Sequence, residues 1–476
     1  MTKIGAFVAL LAGFVAAPSP AAEIRRPDVL FIAIDDLNDW VGVLGGHPQA
    51  LTPNIDALAA RGMLFTNAHT PGTSCNPART AILTGLAPAT TGIYNNGGDW
   101  RYVEALRTIP TLPRYFRNHG YRAVGAGKIF HAHTYNPAGF YGYNDLDGWD
   151  AFYPSIHRQL PDEVVPAIRP VNGSPVTSTG FDWSPLVIDD DVMGDGHVVS
   201  WATRELAEET SAPRFVAAGI YRPHLPWYVP QQYFDMHPLS DIVLPPTLDN
   251  DLADVPEIAH GVRNLDGVDN HKWVLAQGNW KRGVQAYLAS ISFADAMVGR
   301  LIEALDASGR ADDTLIVLWS DHGFHLGEKE RWRKWTLWQR TTHVPLIIVA
   351  PGVTTPGSRG AQAVSLLDLY PTLAELARLP TPSHLEGNSL LPLLSDPQAE
   401  WEHGAVTNNG YLEHSVRDVR YRYTRHADGS EELYDVSSDP NEWHNLASDS
   451  EWIPVKARLA RWLPSVNAPS VTPGRN

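Results

Sequence analysis

Three stretches of the chain are apolar without interruption and rich in β-branched residues. Asp28-Val-Leu-Phe-Ile-Ala-Ile34 ends in Asp35-Asp36, and Thr314-Leu-Ile-Val-Leu-Trp319 ends in Ser320-Asp321-His322-Gly323. Val344-Pro-Leu-Ile-Ile-Val-Ala350 is the third. Such runs predict strands buried on both faces, the mark of a parallel sheet under helices. Helical signals fall between them. Thr52-Pro53 opens a helix over Asn54–Arg61 that Gly62 ends. Tyr287, Ile291, Ala294, Val298 and Leu301 recur at steps of four and three, one face of a second helix. Alternating strands and helices predict an α/β sandwich with a large, mostly parallel sheet.

Residues 135–275 are rich in Pro, Gly and Asp and weakly periodic. They predict long insertions over the sheet's active edge. Past residue 380 the texture changes. Val419, Tyr421 and Tyr423 alternate with Arg420 and Arg422, and Asp428-Gly429 marks a turn before Leu433-Tyr434. A smaller C-terminal subdomain (381–476) is expected, with an antiparallel sheet and a closing helix over Val455–Leu463, following a catalytic domain over 23–380.

The first 22 residues change the setting. Lys3 precedes an apolar run to Ala17, and Ser19-Pro-Ala21-Ala22 offers small residues at a cleavage site. This predicts a signal peptide and an exported, periplasmic or extracellular protein. No later stretch is long and apolar enough to span a membrane. The chain has 476 residues, 43% hydrophobic and 19% charged, which is globular composition. A net charge of −16 argues against a nucleic-acid partner. Cys75 is the single cysteine, so an internal disulfide is excluded.

Candidate chemistry gathers at the ends of the apolar runs. Asp35, Asp36 and Asp321 would arrive at the carboxyl ends of strands, where ligands of α/β sheets bind. Three carboxylates there repel each other unless a cation neutralises them, although each alone also suits a turn or a helix cap. Cys75 lies in Thr73-Ser-Cys75-Asn-Pro77-Ala-Arg79, followed by Leu83-Thr-Gly85. Pro77 suits a first helical turn and Gly85 a helix end, which puts Cys75 at a helix N-terminus that favours anions. Arg79 falls on the same face one turn on and could clamp an oxyanion. A lone cysteine is otherwise a small buried hydrophobe.

Cys75-x-Pro77-x-Arg79 with Leu83-Thr-Gly85 resembles the type I sulfatase signature. Asp35-Asp36 and Asp321-His322-Gly323 resemble that family's metal-binding segments. Gly127-Lys128-Ile-Phe-His131, Tyr221-Arg-Pro-His224-Leu-Pro226 and Thr342-His-Val-Pro-Leu346 are similar to the iduronate-2-sulfatase branch. The likeness covers about residues 28–450 and implies an alkaline-phosphatase-like sandwich. It implies that a formylglycine-generating or equivalent maturation enzyme oxidises Cys75 to formylglycine, whose hydrated aldehyde is the nucleophile. Ala78 stands where the commonest signature has Ser, but Cys, Pro and Arg are the parts maturation requires. The resemblance implies Ca²⁺, or Mg²⁺, held by Asp35, Asp36, Cys75, Asp321 and His322. His322 could instead orient Asp321. It further implies that Arg79, Lys128 and Lys334 hold sulfate oxygens, that His131 takes a proton in the elimination, and that His224 and Lys334 serve the leaving alcohol.

The expected substrate is a sulfated carbohydrate. Trp100, Trp227, Trp332 and Trp335 are candidate sugar platforms, and Arg222 or Arg333 could receive a uronate carboxylate. Two other readings compete: a phosphonate monoester or phosphodiester hydrolase on the same scaffold, and an unconverted, non-catalytic protein that binds glycans or anions.

Overall fold

The first apolar run forms β1 (Asp28–Ile34) at the heart of an eight-stranded sheet. Its companions in the computed structural model are β2 (Met63–Phe65), β3 (Arg122–Gly127), β4 (Ala151–Tyr153), β5 (Arg214–Ile220), β6 (Thr314–Ser320), β7 (Leu346–Val349) and β8 (Ser358–Gly360). The order is β8-β2-β7-β6-β1-β5-β3-β4. The structure describes residues 1–2, 26–133, 142–176, 180–260, 264–265 and 267–471. Most of the expected signal peptide lies outside the described residues. Among those described, no helix is long and apolar enough to cross a membrane.

β1 pairs in parallel with β6 and β5, and β3 in parallel with β5 and β4. The third apolar run departs from expectation. β7 is antiparallel to both neighbours, with Leu318 opposite Ile347 and Leu346 opposite Phe65. The chain leaves β6 and returns from the same end of the sheet, without the crossover a parallel neighbour needs. Burial on both faces makes such a strand read like a parallel one.

Two central strands escape the search for apolar runs. β3 reads Arg-Ala-Val-Gly-Ala-Gly, and β5 lies inside the 135–275 stretch read as insertions. That stretch therefore also supplies a core strand and a fourteen-residue helix, not only loops over the site.

Among the described residues six helices have eight residues or more: α1 (Pro53–Arg61), α2 (Cys75–Thr84), α3 (Gly194–Ala207), α4 (Trp280–Ala307), α5 (Leu369–Leu376) and α6 (Ile453–Ala460). Side chains of β1 alternate between two helical layers, as a pleated strand requires. Leu30, Ile32 and Ile34 pack with Val199 of α3 and Ile291 and Val298 of α4. Val29, Phe31 and Ala33 pack with Ile82 and Leu83 of α2 and Leu373 of α5. The five periodic positions from Tyr287 to Leu301 are fully buried along α4. Gly85 closes α2 with φ of 74°, the left-handed turn expected there. Thr52 precedes α1, but its hydroxyl donates to Asp56 Oδ1 at 3.2 Å instead of capping the helix amides.

The C-terminal sheet is antiparallel: β9 (Ala405–Gly410), β10 (Glu413–Arg417), β11 (Tyr421–Arg425) and β12 (Glu431–Asp435). The Asp428-Gly429 turn and the closing helix α6 stand near their expected places. Arg422 does not face solvent as simple alternation suggests. It is buried and ion-paired with Glu442.

His426, directly after β11, is buried 2.8 Å from both Glu413 and Glu432. Burial alone would lower its pKa, but the hydrogen bonds to Glu413 and Glu432 outweigh that and hold it at about 9. The unfolded chain titrates this group near 6.5. Its stabilisation is therefore complete below that pH and disappears as pH rises through about 9. Denaturant unfolding from pH 6 to 10 should show a loss of up to about 3 kcal/mol that His426→Gln no longer shows. Parallel slopes for both proteins would exclude this linkage.

Candidate active site

Four adjacent parallel strands deliver the polar residues to one edge. In the order β6-β1-β5-β3 their carboxyl ends carry Asp321-His322, Asp35-Asp36, Tyr221–Pro226 and Lys128. Small residues let these ends converge. A Cβ on Gly219 would lie 2.3 Å from the Lys128 carbonyl carbon. Gly127 has φ of 72°, and its Cβ would lie 2.1 Å from the Gly219 oxygen. Asp36 itself adopts φ of 61°, turning its carboxylate back over the strand ends.

α2 points its N-terminus at this edge. Cys75 is its first residue and is fully buried. Its Sγ lies 3.2 Å from Lys334 Nζ, 3.4 Å from His322 Nε2 and 3.7 Å from Lys128 Nζ. Lys334 also donates to Asp36 Oδ1 at 2.6 Å, and Lys128 donates to Asp35 Oδ2. Arg79, one turn into α2, has no surface exposure. Its Nε donates to Asp321 Oδ2 at 2.8 Å and a terminal nitrogen to Asp35 Oδ1 at 3.1 Å. The other terminal nitrogen donates to the Lys128 and Ile129 carbonyls. Arg79 thus braces two carboxylates and the end of β3 with four of its five donors.

Six buried charged groups balance here: Asp35, Asp36 and Asp321 against Arg79, Lys128 and Lys334. Burial raises the Asp35 carboxyl, but Lys128, Arg79 and Lys334 outweigh it and hold the group well below the usual carboxylate range. Asp36 fares differently. Burial, with repulsion from Asp35 and Asp321, outweighs Lys334 and lifts its carboxyl to about 7. Burial and the Asp35 charge push the Cys75 thiol up to about 12.

The residues fit a divalent cation. One ligating atom from each of Asp35, Asp36, Cys75 and His322 lies within 4.8 Å of the others. Asp36 Oδ2 is buried and has no hydrogen-bond partner. Such an atom calls for a positive neighbour. His322 Nδ1 faces the Gly323 carbonyl at 3.1 Å, which assigns the proton to Nδ1 and leaves Nε2 for the cluster. Asp321 stands at the edge of this group. Arg79 and the backbone amides of Asp36 and His322 engage its carboxylate, and one oxygen is 3.6 Å from His322 Nε2.

His131 and His224 are both buried on the β3 and β5 loops. Burial, with the Lys128 charge, lowers both imidazoles well below their ordinary value, so both are neutral bases. His224 Nδ1 faces the Leu225 carbonyl at 2.6 Å, and Nε2 lies 3.7 Å from Asp36 Oδ2. Asp195, at the start of α3, holds this loop by accepting from the Tyr221 and Arg222 amides at 2.6 and 3.0 Å. Sequence reasoning missed Asp195, because its partner is 26 residues away and no motif spans that gap. It also missed His133, whose ring stands edge-on to His224 at 5.4 Å.

The proposed sugar contacts sort by burial. Trp100, Trp227 and Trp332 are core residues. Trp100 stacks on Phe130, and Trp227 and Trp332 both pack against Trp183. Trp335, beside Lys334, keeps partial exposure. Arg222 is internal, donating to the Tyr228 carbonyl and lying 3.6 Å from Glu163. Arg333 is buried with its guanidinium 4.7 Å above the Phe181 ring.

An alkaline-phosphatase-like sandwich that converges acids, lysines and a helix-borne cysteine on its strand ends defines a hydrolase of anionic esters. Comparison with known proteins narrows the class. The sulfatase family model matches residues 27–379, and a model for the C-terminal region of N-sulphoglucosamine sulphohydrolase matches 327–468. A sulfatase of Formosa agariphila is 37% identical, aligned over 94% of this chain and 88% of its own. Human iduronate 2-sulfatase is 29% identical over 89% of this chain and 92% of its own. The phosphonate monoester hydrolase of Agrobacterium radiobacter superposes with a TM-score of 0.75 at 25% identity, covering 92% of this chain and 94% of its own. The chain belongs to the sulfatase family and is a sulfuric ester hydrolase.

Proposed function

We propose that the protein releases inorganic sulfate from a sulfated carbohydrate, using formylglycine made from Cys75 and a bound Ca²⁺ or Mg²⁺. The observation that carries this reading is the setting of Cys75. It is ringed by two lysines and a histidine, yet its thiol is pushed up to about 12. Two ammonium groups and an imidazole converging on one side chain at a helix N-terminus suit an anionic ester reacting at that position. Formylglycine supplies a hydrated aldehyde as nucleophile, and the cation supplies Lewis-acid charge at a sulfate oxygen.

The chain's own residues do the rest. Asp35, Asp36, His322 and the side chain at position 75, with Asp321 at the edge, would hold the cation. Lys128 and Lys334 place positive charge 3.7 and 3.2 Å from Cys75 Sγ, where sulfate oxygens would gather negative charge in the transition state. His131, neutral, accepts a proton in the elimination. Lys334 and His224 neutralise the oxygen that leaves with the sugar. Of the four tryptophans expected as sugar platforms, Trp335 is the one with partial exposure. The iduronate 2-sulfatase similarity supports a uronate-containing oligosaccharide as substrate, and the N-terminal residues support export.

The test is sulfate release from a panel of defined sulfated oligosaccharides. Activity on at least one member is expected, lost after EDTA dialysis and regained with Ca²⁺ or Mg²⁺. Full activity of the metal-stripped enzyme would overturn the cation. The likeness to a phosphonate monoester hydrolase favours a second reading, decided by matched aryl esters. Faster turnover of the phosphodiester or phosphonate than of the sulfate would reverse the assignment.

A further inference from the structure

Lys334 sits on an unusual stretch of backbone. Lys329, Glu330, Arg333 and Trp335 have φ of 53°, 51°, 77° and 68°. L-residues adopt this left-handed region reluctantly, and a run of them persists only where the surroundings hold it. The restraints come from the C-terminal subdomain. Glu442, in the loop after β12, is 1% exposed. Its Oε1 accepts from Arg422 Nε, its Oε2 accepts from the Gln339 amide at 2.7 Å, and its carbonyl accepts from Lys329 Nζ. Arg422 also donates to the Leu337 carbonyl at 3.3 Å and to the Gln339 side chain. Nearby, Trp338 Nε1 donates to Glu432 Oε2 at 2.8 Å. One buried carboxylate residue therefore ties the loop on both sides of Lys334.

We propose that Glu442 is a positioning residue for the reaction. By pinning Lys329 and Gln339 it holds the strained loop in the one shape that sets the Lys334 ammonium against the leaving oxygen. Glu442 touches neither substrate nor reacting atoms. The inference rests on the role given to Lys334 above. A small displacement of such a group costs rate without costing affinity.

The leaving-group dependence of kcat reads this out. The matured, metal-loaded enzyme is assayed with 4-nitrophenyl sulfate, whose leaving group needs little help, and with phenyl sulfate, whose leaving group needs more. Glu442→Gln is expected to lower kcat for phenyl sulfate about 30-fold and for 4-nitrophenyl sulfate less than about 5-fold, with little change in KM. Lys329→Met, which removes the tie from Lys329 Nζ to the Glu442 carbonyl and leaves the Glu442 carboxylate in place, should show the same bias more weakly. It serves as the deciding variant if Glu442→Gln does not fold. Equal losses on both esters, or none, would mean a merely structural residue and overturn the proposal. Lys334→Met is run alongside. If it steepens the dependence and the other variants do not, the positioning role alone is wrong. If Lys334→Met itself costs both esters equally, the reading of Lys334 falls, and the role of Glu442 with it.

Discussion

Cys75→Ala is expected to remove at least about 10⁴-fold of kcat on any accepted sulfate ester while leaving the fold intact. The substitution is small in volume and sits at the first position of α2, where no side-chain hydrogen bond caps the helix. Near-UV and far-UV circular dichroism should therefore match the parent. The wild-type peptide containing residue 75 should be about 18 Da lighter than its unmodified form, the reverse of ordinary thiol oxidation, which adds mass. Wild-type turnover by the alanine variant would eliminate the proposed nucleophile. Active enzyme carrying only free thiol would eliminate formylglycine while leaving the position open. Pro77 and Arg79 stand in α2 after Cys75 with Ala78 between them, and the mass of this peptide decides whether conversion takes place beside Ala78.

The charge arithmetic explains why such a centre fits an acidic protein. The chain carries a net −16, yet three cationic side chains offset the three site carboxylates. A divalent cation would then leave the pocket positive, against the average field of the molecule. The lifted Asp36 carboxyl and its unpartnered Oδ2 mark the place where that charge is missing from protein groups alone.

The legible parts of the sequence were those with strong local patterns. β1 and β6 are long apolar runs, α4 repeats its buried face for several turns, and α2 is bounded by Pro77 and Gly85. β3 and β5 were not legible, because their ends must let Lys128 and the His224 loop approach the centre. Gly125, Gly127 and Gly219 supply that room at the expense of the apolar signal. The direction of β7 was hidden by burial on both faces. The apolar runs place Asp35, Asp36 and Asp321 at strand ends and the resemblance adds Lys128, His131, His224 and Lys334, but neither finds the residues that hold them. Asp195, Glu442 and Arg422 hydrogen-bond partners distant in sequence, and no periodicity records such pairings.

Arg79 shows what that difference means for experiment. Read from the sequence it clamps the sulfate. In the structure four of its five N–H donors go to Asp321, Asp35 and two carbonyls at the β3 end. Arg79→Ala should therefore do two things at once. It leaves the buried Asp321 carboxylate without its charged partner and Asp35 with Lys128 alone, and breaking a buried pair from one side costs about 3–5 kcal/mol. It also releases the Lys128 and Ile129 carbonyls, so Lys128 loses its fixed approach to the Cys75 position. Denaturant unfolding should register the first effect, and a fall of kcat by about 10³-fold or more the second. Arg79→Lys should not rescue either, because one ammonium cannot span both carboxylates and the backbone as a planar guanidinium does. A residue that only gripped substrate would behave otherwise. Its loss would raise KM and leave unfolding unchanged, and that result would return Arg79 to the substrate side of the site.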